Sequence, residues 1–427
     1  MSLVILLVTS IVFLAIGVPV AFALGLSALV VMLYDGLPAE VLFQRMASGM
    51  NFFSLLAIPF FVYAGEIMLY GGIAEKLVRF AMACVGRIRG GLAQVNVLSS
   101  TLFGGISGSA VADASAMGSI MIPMMKKRGY HDDYSVNVTT SAALIGILIP
   151  PSHNMIIYSL AAGGSVSILA LFTAGVVPGI LMAVSLMVVS YVVAVRRGYP
   201  REAFPGWKVL AVAFVGALPG IGLGVLIVVG VRFGVFTVTE SAAVAAIYAL
   251  AVTGLAYRSL TWETFRRATL NAVRTTSLVM IVIGTGNSVS WLLALHQLPQ
   301  LALDFLTQIS SEPWVILLLI NIILLVLGIP MDMAPLILIC TPIFLPVVKA
   351  LGMDPVQFGM VMMINLGIGL LTPPVGSVLF VGCAIARIRM EALMKTCWPF
   401  YFALVFTLLV VTYVPEVSLW LPRVLGN

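Results

Sequence analysis

The sequence predicts an all-α polytopic membrane protein built as an inverted-topology repeat, with two re-entrant helical hairpins and two broken helices. Three observations carry that prediction. The chain of 427 residues is 61% hydrophobic and 9% charged, with a mean hydropathy of +1.15, and apolar runs long enough to cross a roughly 30 Å hydrocarbon core recur along it. Two stretches share their helix breakers at a constant offset of 223 positions: Gly105-Ile106, Pro123, Lys126, Gly129, Gly146 and Pro150-Pro151 recur as Gly328-Ile329, Pro346, Lys349, Gly352, Gly369 and Pro373-Pro374. Broken hydrophobic segments at corresponding places in two halves point to a transporter's binding site. The third observation is the placement of Lys and Arg, which turns the two copies upside down relative to each other.

Composition excludes several classes. A β-barrel would show short alternating segments in place of runs such as Val315–Leu327. The net charge of +6 comes from short basic clusters between apolar segments, which fits contact with membrane lipid and no nucleic-acid partner. The cysteines Cys84, Cys340, Cys383 and Cys397 have neither metal-type nor redox-type spacing. His131, His153 and His296 are far apart and leave no cluster for a catalytic metal. An intramembrane enzyme would need such a cluster or a nucleophile–base pair, so the chain reads as no enzyme.

Taken in order, residues 3–33 stay apolar, too long for a signal-peptide core, and are expected to form one retained first helix bent near Gly17 and Pro19. Further spans are expected near 51–70, 169–195, 208–230, 236–257, 275–296 and 397–420, and interrupted ones near 134–163 and 356–386. Segments 73–89 and 261–274 mix charges with apolar residues and read as interfacial helices. Clusters at Arg79/Arg87/Arg89, Lys126/Lys127/Arg128, Arg196/Arg197/Arg201/Lys208, Arg258/Arg266/Arg267/Arg274 and Arg387/Arg389/Lys395 are all placed in the cytoplasm. The apolar segment 92–125 then enters and leaves by that face, as a re-entrant hairpin or two spans with a very short turn. Its counterpart 314–348 is poor in positive charge and is expected to enter from the opposite face. This count puts the N-terminus inside and the C-terminus outside. The repeats cover about 1–195 and 209–427, with moving elements near 92–163 and 313–386.

The first hairpin tip reads Gly104-Gly105-Ile106-Ser107-Gly108-Ser109-Ala110-Val111-Ala112-Asp113, and the second Gly328-Ile329-Pro330-Met331-Asp332-Met333-Ala334-Pro335. Irregular backbone inside a membrane is tolerated where it lines a polar cavity, and there carbonyls and hydroxyls can hold an ion. Close packing of small residues is the competing explanation for the glycines. Asp113 and Asp332 are the acids deepest in these hairpins, and an intramembrane acid is a functional hypothesis by default. A carboxylate capping a half-helix is the alternative, and one residue can do both.

The runs Ile149-Pro150-Pro151-Ser152-His153-Asn154 and Thr372-Pro373-Pro374-Val375-Gly376-Ser377 interrupt long apolar segments. Adjacent prolines remove two backbone donors and turn the preceding residue away from helix. Half-helix N-termini then suit an organic anion, while freed carbonyls suit Na⁺. Ser152, Asn154, Thr372 and Ser377 can add oxygens. Glu66 and Glu240 lie near segment ends and read as interfacial anchors, and His153 reads as a packed polar residue as readily as a ligand.

The hairpin GGISGSAVADASAMGSIMIP, the IPPS loop with Tyr158 after it, and the late NLGIGLLTPPVGSVLFV resemble the large, DctM-like permease subunit of TRAP (tripartite ATP-independent periplasmic) transporters over essentially the whole chain. That resemblance implies Na⁺-coupled secondary active uptake of an organic acid anion (a C4-dicarboxylate, sialic or other sugar acid, or keto acid) across the bacterial inner membrane. It implies an elevator-type mechanism like that of the wider ion transporter superfamily, a separate four-helix small permease subunit and a periplasmic substrate-binding protein. Carried over residue by residue, Na⁺ would be held by Ser107, Gly108, Ser109, Pro150 and Ser152 at one site, and by Gly328, Asp332, Thr372 and Gly376 at the other. The anion would meet Ser109, Asp113, Ser152, Asn154, Met331, Asp332 and Ser377 between the tips. A stand-alone Na⁺/dicarboxylate symporter of similar architecture is the alternative reading.

Overall fold

A computed structural model of the chain describes residues 1–373 and 375–426, and these residues form helices joined by short turns. The first half opens with α1 (Ser2–Ala15), α2 (Val20–Tyr34), α3 (Glu40–Met50), α4 (Ala57–Tyr70) and α5 (Ile73–Val85). A hairpin follows, α6 (Gly91–Ser107) and α7 (Ala110–Lys127), then an interrupted helix, α8 (Asp132–Ala143), α9 (Ile145–Leu148) and α10 (His153–Ala161), and the long α11 (Ile168–Arg196). The second half contains α12 (Trp207–Arg232), α13 (Val238–Ala251), α14 (Trp262–Leu295) and α15 (Leu298–Ile309). Its hairpin is α16 (Pro313–Gly328) and α17 (Met333–Ala350), and its interrupted helix is α18 (Pro355–Gly369) and α19 (Ser377–Ala386). The short α20 (Met390–Met394) and the bent pair α21 (Trp398–Tyr413) and α22 (Pro415–Leu425) close the chain.

The sequence offset survives as architecture. Helix α7 starts at Ala110 and α17 at Met333, α8 at Asp132 and α18 at Pro355, each pair separated by the same 223 positions as the breakers. Among the described residues six helices are long and apolar enough to cross a membrane, and up to eight spans result if each strongly bent pair is one. One bent pair is the double-proline break before α10, with a turn of 52°. The hairpin arm α16, 16 residues long, extends about 24 Å and falls short of a full crossing.

Three sequence expectations change. Residues 3–33 are two helices in place of one bent span: Gly17 takes a left-handed φ of +85° and Pro19 caps α2. The chain doubles back, so that Ser2 Oγ donates to Asp35 Oδ1 at 2.6 Å. The segment 261–274 is the first part of a continuous 34-residue α14 and does not lie separately at the interface. The third change concerns the N-terminus. Asp35 also pairs with His296 Nε2 at 2.8 Å, and His296 caps the end of α14 remote from Arg266 and Arg267. That contact puts the N-terminus on the face opposite the cations, against the expected inside location. At the other end of the chain, Arg232, in the last turn of α12 remote from Lys208, donates to the carbonyl of Leu425. This agrees with an outside C-terminus.

Three of the cationic clusters, those near residues 87, 128 and 197, converge on one face. Gly90 N–H donates to Pro200 O at 3.2 Å, Glu202 N–H to Gly86 O at 3.2 Å, Arg197 pairs with Asp133 at 2.9 Å, and Arg128 with Glu202 at 3.5 Å. The two repeats interlock behind this face. Tyr158 Oη of α10 donates to Pro355 O at 2.6 Å, and Gly359 leaves room for the Tyr158 ring, which a Cβ would meet at 2.7 Å. Asn365 on α18 donates to Asn321 Oδ1 on α16 at 2.8 Å, which ties the broken helix to the hairpin arm. Around the interlocked pair stand α2, α3, α4, α13 and α14, with α14 packed on α2, α3, α4 and α17.

Candidate functional site

The first tip is shaped by three small residues. Helix α6 ends at Ser107, Gly108 takes a left-handed φ of +61°, and extended Ser109 caps α7 by accepting from Ala112 N–H at 3.5 Å. The glycine is required twice over, because a Cβ there would lie 2.4 Å from Pro151 O as well as straining the backbone. Tip and break are therefore in backbone contact. Ser107 Oγ donates to Asp113 Oδ1. Asp113 is fully buried, and a Cβ on Gly146 would stand 2.1 Å from its Oδ2. Asp113 Oδ2, Ser152 Oγ and Asn154 Oδ1 are all buried without a hydrogen-bond partner among the described residues. Such orphaned acceptors are costly unless something else meets them.

The second tip repeats the plan with different residues. Asp332 caps α17, accepting from Met333 N–H at 2.9 Å. Behind the tip, Gly369 of the broken helix touches Gly328 so closely that a Cβ would lie 2.7 Å from the Gly328 carbonyl carbon. The equivalent contact in the first unit joins Gly104 and Gly146, where a Cβ on Gly104 would lie 2.6 Å from the Gly146 Cα. In the second break Thr372 Oγ1 donates back to Ile368 O at 2.9 Å, Gly376 adopts φ +45°, and Ser377 Oγ is buried without a partner among the described residues. Pro374, half of the matched double proline, lies outside the described residues.

Between the units lies a cavity of about 510 Å³. Ser107 and Ser109 of the first tip line it, with His153 and Asn154 beyond the first break and Asp332, Met333 and Ala334 of the second tip. Asn154 Nδ2 reaches Met333 Sδ at 3.8 Å, tying the first break to the second tip. Three helices, α7, α10 and α17, begin at the cavity wall. Their N-terminal ends present a positive potential to an anion. No Lys or Arg is among the lining residues described.

The expected residues divide by position. Ser107, Ser109, Asn154 and Asp332 face the cavity, whereas Asp113, Ser152, Gly108 and Pro150 lie directly behind the first tip. Met331 is half-buried against the core. Gly328 meets the second broken helix at Gly369, Thr372, Gly376 and Ser377 follow in its break, and none of the four is among the cavity-lining residues described. The far wall was unexpected. Gly65, Glu66 and Tyr70 of α4 and Asn271 and Thr275 of α14 complete it. Glu66 Oε2 is buried without a partner, and Asn271 Nδ2 donates to Tyr70 Oη at 2.8 Å. Glu66 therefore faces the cavity and not the membrane interface, while Glu240 forms a capping box with Thr237 at the start of α13. The rarity of acids inside apolar segments was the signal for Glu66; its neighbours on α14, some 200 residues away, left no trace in the sequence.

Comparison with known proteins fits this geometry. The family profile described as "Tripartite ATP-independent periplasmic transporter, DctM component" matches residues 7–417. The C4-dicarboxylate TRAP transporter large permease protein DctM of Pseudomonas aeruginosa is 40% identical over 95% of this chain and 94% of its own. The sialic acid TRAP transporter large permease protein SiaM of Vibrio cholerae is 38% identical over 95% of both chains. The crystal structure of the Alcanivorax borkumensis YdaH transporter superposes with a TM-score of 0.61 at 14% identity, over 90% of this chain and 89% of that one, and shares the fold. The chain belongs to the DctM component family of tripartite ATP-independent periplasmic transporters.

Proposed function

We propose that this permease takes up an organic acid anion handed over by a periplasmic substrate-binding protein, drives it with the Na⁺ gradient, and carries it in the cavity between the two hairpin tips. The observation that carries the reading is that cavity itself, where three helix N-termini meet with no cationic side chain among the described lining residues. Dipole ends and ordered N–H groups hold a carboxylate there. The protein is a large TRAP permease, a multi-pass protein of the bacterial inner membrane and not an enzyme.

Sodium is cargo in this account. The unpartnered oxygens of Asp113, Ser152 and Asn154 support a Na⁺ site joining the first tip to the first break, with Ser107, Gly108, Ser109 and Pro150 around it. The unpartnered Ser377 hydroxyl, with Thr372, Gly376, Gly328 and Asp332, supports the second. The two units, near 92–163 and 313–386, act as an inverted-topology transport body that slides, elevator-fashion, past the wall of α4 and α14. A four-helix small permease subunit, supplied as a separate chain, completes the scaffold.

Reconstitution tests the function. In proteoliposomes holding this chain, the small subunit and the cognate binding protein, carboxylate uptake should require both the binding protein and an inward Na⁺ gradient. Full uptake by this chain alone would instead support a stand-alone symporter, and uptake indifferent to Na⁺ would remove the coupling ion.

A further inference from the structure

A second cavity, of about 480 Å³, opens between α5 and α12, and it shares no lining residue with the cavity between the tips. We propose that this groove binds the phosphate headgroup of an anionic phospholipid, with an acyl chain laid along α12. The headgroup end carries Lys76 and Arg79 from α5. Among the described residues neither cation forms an ion pair, and Lys76 Nζ rests 4.7 Å from the Tyr257 ring centroid. The one carboxylate in the wall, Glu202, is engaged 3.5 Å from Arg128, and Glu75 lies exposed beside Lys76. Arg87 stacks 5.8 Å from the Phe204 ring at the loop that closes this side. Two cations without an ion pair among the described residues therefore face a confined space on the cation-rich side of the protein, where basic pockets between helices take lipid phosphates.

The rest of the groove is apolar. Val209 and Val212 of α12 line it and stay 50% and 67% exposed, and a Cβ added at Gly216 would meet nothing within 4 Å. A free phosphate would satisfy the cations but leave this surface uncovered. A phospholipid covers both ends.

Native mass spectrometry of the purified chain, after exchange into mixed phosphatidylglycerol and phosphatidylcholine, tests the proposal. Wild type should retain phosphatidylglycerol over phosphatidylcholine by roughly thirtyfold, the ratio that about 2 kcal/mol from two basic side chains near an anionic headgroup gives. Lys76→Gln/Arg79→Gln should erase that preference, while Arg389→Gln, on a distant exposed cation, should keep it. Val212→Trp, which fills the apolar end and leaves both cations, should also reduce retention and decides the matter if the double variant does not fold. Wild-type preference kept in both the double variant and Val212→Trp would overturn the proposal. So would displacement of the lipid by excess inorganic phosphate, which marks a free-anion site, or by the small permease subunit, which marks a protein interface.

Discussion

Ser109 and Asp332 occupy corresponding places, each capping the second arm of its hairpin while facing the same cavity. Their dual position makes them sensitive probes. Ser109→Leu and Asp332→Leu should each lower carboxylate uptake by about a hundredfold at normal membrane abundance, measured as initial rate per copy of protein. Wild-type rates in both would put the substrate and ion sites elsewhere. Gly146 probes the layer behind. A methyl there would collide with Asp113 Oδ2 at 2.1 Å, and overpacking of this kind costs about 1–3 kcal/mol. Gly146→Ala should therefore lower the melting temperature and uptake, whereas Gly129→Ala, with nothing within 4 Å but a φ of +81°, should leave uptake intact and cost only its backbone strain.

The elements show which parts of the fold the sequence could encode visibly. Breakers at Gly108, Pro150 and Gly328 mark hairpin tips and breaks because a helix cannot pass them cheaply, so the hairpins and interrupted helices were legible residue by residue. Hydrophobicity alone cannot separate one bent span from a tight hairpin, and so α1 and α2 were merged. The charged first turns of α14 hid its continuity, since a helix of about 51 Å simply extends beyond the bilayer. The far wall of the cavity escaped for a third reason: Glu66 and Asn271 meet through packing between helices and not through any local pattern. The contact that corrects the first element also makes a prediction. The Ser2 hydroxyl, followed by the His296 ring, holds the Asp35 carboxyl below its ordinary range. A depressed folded-state value means the contact stabilises the protein above the ordinary carboxylate range and is lost as pH falls through the folded-state value. Melting temperature should fall across that acid window in wild type, and Asp35→Asn should flatten that component. An unchanged acid profile in the variant would remove Asp35 as its source.

At the scale of the whole molecule, two interlocked units face a surrounding wall, and the cavity between them has one side on each. The proposed elevator motion has the tips leave α4 during the cycle. Gly65 brings α4 against the first tip: a Cβ there would lie 3.1 Å from Ile106 O and 3.6 Å from the Ser107 Cα. These distances bring a Gly65→Cys/Ser107→Cys pair within disulfide reach. The background should have Cys84, Cys340, Cys383 and Cys397 replaced, since all four are free thiols. The decisive measurement is carboxylate uptake by this double variant before and after oxidation, against each single variant. Sliding of the tip body past the wall predicts that oxidation abolishes uptake in the double variant alone and that reduction restores it. Full uptake through a quantitatively cross-linked protein would contradict that motion.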